Sequence, residues 1–291
     1  MSEIRIGDIV ARKSYGYDVF FKVVDIRSDG TENIVTLKGI SYRIQADAPE
    51  SDLELQSDRR INEYRDKCDK SVEKAIRNTY VSKQQAYPKK AYYRNTPKES
   101  TRKFSRPGKV LHIDGDNDYL EICMSEYRKQ GMDVAGKFIS EKDQVSAVFS
   151  LLQENKPDIL VLTGHDGVLK GSGSYLNLAN YRNSRYFIEG VKEARKFERD
   201  LDSLVIFAGA CQSMYNEIIK AGANFASSPC RVLIHALDPV FICRKIAFTG
   251  IDKVIEPIEA ISSTMTGSDG IGGLQTRGKY RDGFPLESFS S

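Results

Sequence analysis

Two residues in this chain have the type and setting for nucleophilic catalysis. Cys211 lies in Phe207-Ala208-Gly209-Ala210-Cys211-Gln212-Ser213, and His165 in Leu162-Thr163-Gly164-His165-Asp166-Gly167. A free thiol with a pKa of about 8.5 is mostly protonated at neutral pH, so it attacks well only beside a base or in a positive field. An imidazole within hydrogen-bonding reach takes the proton and later returns it to a leaving amine. The glycines just before each residue let a substrate backbone come close and free N–H groups for an oxyanion. The N–H groups of Gly164 or His165 and of Cys211 are the expected donors. A single cysteine is more often a small buried hydrophobe. Two segments with the same punctuation favour chemistry over packing.

Each residue follows a short apolar run, Asp158–Leu162 and Leu204–Ala208, rich in β-branched residues and without alternation. That pattern marks strands buried on both faces of a parallel sheet. Side chains just past the carboxyl ends of neighbouring parallel strands converge in one crevice, so the fold can bring His165 to Cys211. The segment from Leu178 to Phe197 reads as the crossover helix between them. A helix beginning at Gln212 or Ser213 would add its N-terminal dipole in favour of thiolate. Three histidines are present. His112 sits inside an apolar strand and reads as core; His235, after Val232-Leu233-Ile234, is the alternative base. Cys230 and Cys243 lack the strand-end glycine and read as structural.

The rest of the chain divides into three. Residues 1–56 carry about five short strands with tight turns, including Val19–Ile26, Asn33–Gly39 and Ile40–Ile44, and read as a small SH3-like β-barrel. Residues 57–108 hold a charged helix, with sparse apolar residues at Ile61, Tyr64, Val72, Ile76 and Tyr80, followed by a basic linker from Lys83 to Gly108. That linker lacks Val, Leu, Ile and Met and cannot bury enough apolar surface to order itself. Residues 109–291 alternate strands and helices: Val110–Asp114, Asp118–Lys129, Val134–Ile139, Lys142–Glu154, the two candidate strands, Tyr215–Lys220, Phe225-Ala226 and Val232–Ile234. The alternation specifies an α/β fold, a mostly parallel sheet with helices on both faces. Phe241–Phe248 and Val254–Thr266 read as helices and Gly267–Gly273 as a mobile flap or turn, since no lysine or strand–helix context supports a phosphate loop.

With 40% hydrophobic and 29% charged residues the composition is that of an ordinary globular protein, and a net charge of +3 is too small to call for nucleic acid. Five cysteines without Cys-x-x-Cys spacing speak against a disulfide framework or a zinc site and fit a reducing, cytoplasmic compartment. No secretory leader or membrane span is read in the chain.

The strings Ile6–Tyr15, Gly164-His165-Asp166, Phe207–Ser213, Ala221–Pro229, His235–Pro239, Gly272-Gly273 and Thr276-Arg277-Gly278 resemble the YabG sporulation peptidases of spore-forming Firmicutes. The two strand ends alone resemble the wider caspase, clostripain, gingipain and separase group. The resemblance implies a caspase-like sheet and a cysteine endopeptidase of the mother cell of the sporangium, acting on spore coat and cortex-associated proteins, with a His165/Cys211 dyad; that mechanism needs no cofactor or metal, although some members of the wider group use calcium. Arginine-specific members of the wider group hold the basic side chain on an acid; a guanidinium wants a fixed carboxylate that accepts two bonds in a desolvated pocket. Asp114 is the first choice for that acid, with Asp116 and Asp238 as further substrate-binding candidates, although Asp116 also suits a helix cap. Cleavage after Arg (or Lys) would make the linker a target for self-cleavage, at Arg102 and Arg106. The other classes open to the sequence are a non-catalytic module that binds coat proteins and a cysteine amidase on small substrates.

Overall fold

The computed structural model describes residues 3–28, 30, 32–86, 104–169 and 174–284, with the backbone alone for 78–86. At the amino end, β1 (Ile9–Arg12), β2 (Phe20–Ser28), β3 (Asn33–Gly39), β4 (Gln45–Pro49) and β5 (Leu53–Leu55) form an antiparallel sheet in the order β4-β3-β2-β1-β5. Its alternating apolar residues, Val10, Phe21, Val23, Val35, Leu37, Ala48 and Leu53, close one small core. Ile40–Ile44, expected as a strand of this sheet, is instead a loop that leaves it. Ser41 and Arg43 pair there with residues far along the chain, and that tertiary pairing takes the place of the local ladder.

Helix α1 (Asp58–Ala86) follows. Tyr64 stacks on Phe20 at 4.5 Å between ring centres, and Val72, Ala75 and Ile76 pack against the second, larger core. The basic linker overlaps ordered structure at both ends. The helix runs to Ala86, and β6 (Phe104–Arg106) pairs antiparallel with β15 (Arg281–Gly283). Backbone pairing with the carboxyl-terminal strand orders Phe104–Arg106, which has little apolar surface of its own. Arg102 lies outside the described residues.

The main sheet is built from β7 (Val110–Asp114), β8 (Val134–Phe138), β9 (Ile159–Thr163), β10 (Val205–Ala208), β11 (Phe225–Ser227) and β13 (Ile271–Gly273), in the order β13-β11-β10-β9-β7-β8. All neighbours are parallel except β13, which runs antiparallel to β11. Helices α2 (Asn117–Lys129) and α6 (Asp238–Ala247) help to bury one face, and α3 (Glu141–Asn155), α4 (Ser184–Phe197) and α5 (Tyr215–Lys220) the other. Strands β7, β9 and β10 are buried throughout, as the apolar runs of β9 and β10 require; β7 also buries His112 and Asp114.

Four further expectations change. The crossover helix is shorter than Leu178–Phe197: Leu178–Asn180 is a separate single turn, and α4 starts at Ser184. The Gly-rich segment is not a free flap, because Ile271–Gly273 adds to the sheet edge. Gly273 is needed there, since a side chain would strike the ring of Phe225. Val254–Thr266 splits into β12 (Val254–Ile255), paired with β14 (Thr276–Arg277), and a short helix α7 (Pro257–Ile261); Pro257 sets the helix start. Val232–Ile234 is not a strand of the main sheet. Among the described residues no helix is long and apolar enough to cross a membrane.

Candidate active site

The register of β9 against β10 decides where the two candidate residues fall. Leu162 is opposite Ala208, so His165 and Cys211 stand equally far beyond paired positions on adjacent parallel strands. The turn that carries Cys211 is sharp. Gly209 has φ +110° and Gln212 φ +60°, a left-handed conformation that a non-glycine residue adopts only where its surroundings hold it. Here Ser228 Oγ accepts the N–H of Gln212 at 3.0 Å and Ser213 Oγ that of Ala210 at 2.9 Å. The left-handed residue also stops a helix from starting at Gln212 or Ser213. Helix α5 begins at Tyr215 and has six residues, so the dipole expected next to the thiol is short and displaced.

Cys211 is 4% exposed, and its Sγ accepts the N–H of Ile234 at 3.1 Å. Burial pushes the thiol up to about 12, against the lowering effect of the Ile234 N–H and the Arg43 charge. The sulfur is therefore a protonated, enclosed group in this conformation.

His165 is held on three sides. Its Nε2 lies 2.7 Å from Asp116 Oδ2, its backbone N–H donates to Glu141 Oε1 at 2.6 Å, and its carbonyl accepts from Asn183 Nδ2 at 2.8 Å. The Glu141 contact removes His165's own N–H from the expected oxyanion donors. A side chain at Gly164 or Gly115 would run into the same Glu141 carboxylate, which gives both glycines a packing reason. Among the described residues no hydrogen bond joins the His165 ring to the sulfur of Cys211. Asp116 does two jobs. It caps α2 through the N–H groups of Asp118 and Tyr119, and it binds His165 and Lys38 Nζ, the latter at 2.7 Å. Burial raises its carboxyl, but His165 and Lys38 outweigh that and hold it down to about 2. It is an ionised partner for the imidazole at any working pH.

Asp166 ties the His165 loop to the Cys211 loop. Its carboxylate accepts from Ser184 Oγ, from Ser213 Oγ at 2.9 Å, and from the N–H groups of Asn183 and Gly167 at 2.8 Å each. Burial raises its pKa despite those donors.

The acids expected to meet a substrate are already engaged. Asp114 is fully buried and lies 2.7 Å from Nη1 of Arg43, which is itself 1% exposed. Thr163 Oγ and the N–H of Asp116 also donate to it, at 2.9 and 3.0 Å. Burial opposes its charge, yet Arg43 and His112 hold the carboxyl far below the usual range. Asp238, also buried, accepts from Thr266 Oγ and from the N–H groups of Met265, Thr266 and His235. Burial lifts it to about 6 against those donors, and its bonds fix the 265–266 turn. His235, the alternative base, is 6% exposed, accepts from the N–H of Leu237 and is pushed down to about 4 by burial and then by Arg43. His112 is a core residue bonded to Tyr127 and Thr163. Cys243 is buried, whereas Cys230 is exposed.

Several residues of this region carry no local signal in the sequence: Arg43, Lys38, Tyr119 and Glu141. Each reaches the rim from an element remote in the chain. Asp116 was visible as a cap, but its bond to His165 depends on β7 lying beside β9.

A family model described as YabG peptidase U57 matches residues 5–285. A Bacillus subtilis (strain 168) protein named sporulation-specific protease YabG is 43% identical over 294 residues, covering 98% of this chain and 99% of that one. Among solved structures, a LuxR-family two-component response regulator from Aurantimonas sp. SI85-9A1 overlaps 40% of this chain and 71% of its own, at 18% identity and a TM-score of 0.27; nothing rests on so slight a likeness. Matched along nearly its whole length by a peptidase family and by a full-length relative, the chain belongs to the YabG peptidase family U57 and is a protease of sporulation.

Proposed function

We propose that the chain is a cysteine endopeptidase that cleaves after arginine, or lysine, in spore coat and cortex-associated proteins. Cys211 is the nucleophile, His165 the base, and Asp116 the carboxylate that orients the imidazole. The observation that carries this reading is the register of β9 and β10, which sets both residues at one sheet edge. Once the thiol is ionised, sulfur attacks the scissile carbonyl carbon and the C–N bond breaks. His165 passes the proton to the leaving amine, and water then hydrolyses the thioester. The N–H groups of Gly164 and Cys211 receive the oxyanion.

Asp114 is the acid for the basic side chain. In support of that role, it already binds a guanidinium in a pocket without water access. Asp116 and Asp238 are better read as the orienter of His165 and the anchor of the 265–266 turn. The amino-terminal sheet has the strand order of an SH3-like barrel, with a single helical turn (Glu50–Asp52) between its last two strands. We read residues 1–56, 57–108 and 109–291 as barrel, connector and caspase-like peptidase, working in the mother cell. Self-cleavage in the connector falls at Arg102, since Arg106 is paired in β6.

The test is cleavage of a co-expressed coat protein by the full chain and by Cys211→Ala. Loss of cleavage with retained fold is expected. Cleavage that persists in the variant rules out the thiol mechanism, and mapping the new termini reads the preference for arginine directly.

A further inference from the structure

The loop Ile40–Ile44 leaves the amino-terminal sheet and pairs with residues 234–236 through a single antiparallel bridge, with the Ile44 N–H turned back onto the Tyr42 carbonyl at 2.8 Å. Arg43 N–H donates to the Ile234 carbonyl at 2.8 Å, Ala236 N–H donates to the Ser41 carbonyl at 2.9 Å, and Tyr42 bridges His235 antiparallel. Alternating backbone bonds with one side chain in a pocket are how an extended peptide is bound by strand addition. The side chain in the pocket is Arg43. Its guanidinium meets Asp114, reaches Cys123 Sγ at 3.4 Å and lies 5.2 Å from the centre of the Tyr119 ring. The same Ile234 that takes the Arg43 N–H gives its own N–H to the Cys211 sulfur, so one residue links the bound strand to the nucleophile. Tyr119 fastens the loop, its hydroxyl facing the carbonyls of Gly39 and Tyr42 at 2.7 Å each.

We propose that Ser41-Tyr42-Arg43 is a built-in occupant of the substrate groove, with Arg43 in the pocket for the residue preceding the scissile bond, so that the resting chain is closed to other polypeptides. This rests on Cys211 being the nucleophile. The peptide bond the occupant presents is Arg43–Ile44. Were it cut, a sulfur–carbon bond would form at the Arg43 carbonyl and the bond to the Ile44 nitrogen would break. The thiol proton would pass through His165 to that amine, and water would release Arg43 as a carboxylate. A groove filled in cis lowers the apparent affinity for any trans ligand by the fraction of chains that are open.

The experiment measures how fast an arginyl acyloxymethyl ketone peptide alkylates Cys211 in the full chain, with the labelled residue found by mass spectrometry. The native chain should label slowly and Arg43→Met roughly tenfold faster or more. Because Arg43→Met leaves Asp114 buried without its partner and can fail to fold, Tyr119→Phe is the second variant. It loses one hydroxyl from the fastening, and several-fold faster labelling is expected. A new amino terminus at Ile44 in the native chain, absent from Cys211→Ala, also supports the proposal. Equal rates in the native chain and the folded variants overturn it, and fast labelling of Cys211 in the native chain does so while leaving the cysteine-peptidase reading intact. Absence of labelling in every chain, with coat-protein cleavage persisting in Cys211→Ala, ends both.

Discussion

The imidazole of His165 and the carboxylate of Asp116 are joined at 2.7 Å although they come from the ends of different strands, β9 and β7. A carboxylate at that distance fixes the orientation and tautomer of the imidazole. Asp116→Asn keeps an oxygen for capping α2 but removes the charge. We expect turnover to fall by roughly 100-fold or more. The loss should be seen in protein that the urea midpoint shows to be folded. A purely structural Asp116 would lower the urea midpoint and leave the turnover of the folded variant in place.

Arg43 and Asp114 are both buried, so removing one partner leaves the other charged and unsolvated. Asp114→Ala should cost about 3–5 kcal/mol, read as a lowered urea midpoint. The double variant Arg43→Met, Asp114→Leu should recover most of that loss, since well-packed apolar groups replace a buried ion pair at little cost.

How far the chain can be read without coordinates depends on the range of the interaction. β9 and β10 are legible because strands buried on both faces leave continuous apolar runs, β7 because Val110, Leu111 and Ile113 mark it despite His112 and Asp114, and α2 because Asp116 caps it. The placement of His165 and Cys211 at neighbouring strand ends follows from the same runs. The loop at Arg43 is not legible: Tyr42-Arg43-Ile44 looks like ordinary strand sequence, and only Asp114, seventy or so residues away, determines where the guanidinium goes. The helix after Cys211 misleads for a related reason. Gln212 takes a left-handed φ under the hold of Ser228, and no helix can start there.

His235 and Asp238 titrate in opposing senses. Burial depresses His235 to about 4 from an ordinary 6.5. Its neutral form favours the folded chain fully above pH 6.5, and that contribution is lost as pH falls towards 4, by up to about 3 kcal/mol. Burial raises Asp238 to about 6 from 3.8, so its contribution is greatest below pH 4 and declines as pH rises through 6. His235→Asn removes the first effect. The stability difference between native chain and variant, from urea unfolding at each pH, should therefore shrink from pH 6.5 to 4.

Asp166 joins the two loops through two hydroxyls and two backbone N–H groups. Asp166→Ala strands those donors and should destabilise by about 2–4 kcal/mol. Ser213→Ala removes one bond and should cost about 1 kcal/mol. Both are measured by thermal or urea unfolding, and only Asp166→Ala should also abolish turnover.

Helix α1 lies over the large core through Val72, Ala75 and Ile76, while β6 is zipped to the carboxyl-terminal β15. A break between Ala86 and Phe104 therefore nicks the protein without parting it. The front piece stays clamped by its greasy helix flank and by the arginine sunk beside Asp114, and the rear piece keeps both of its tails tethered together. Trimming the gene to the rear piece alone would instead leave a bare apolar flank and an unanswered negative charge, so the two halves are heritable only as a unit.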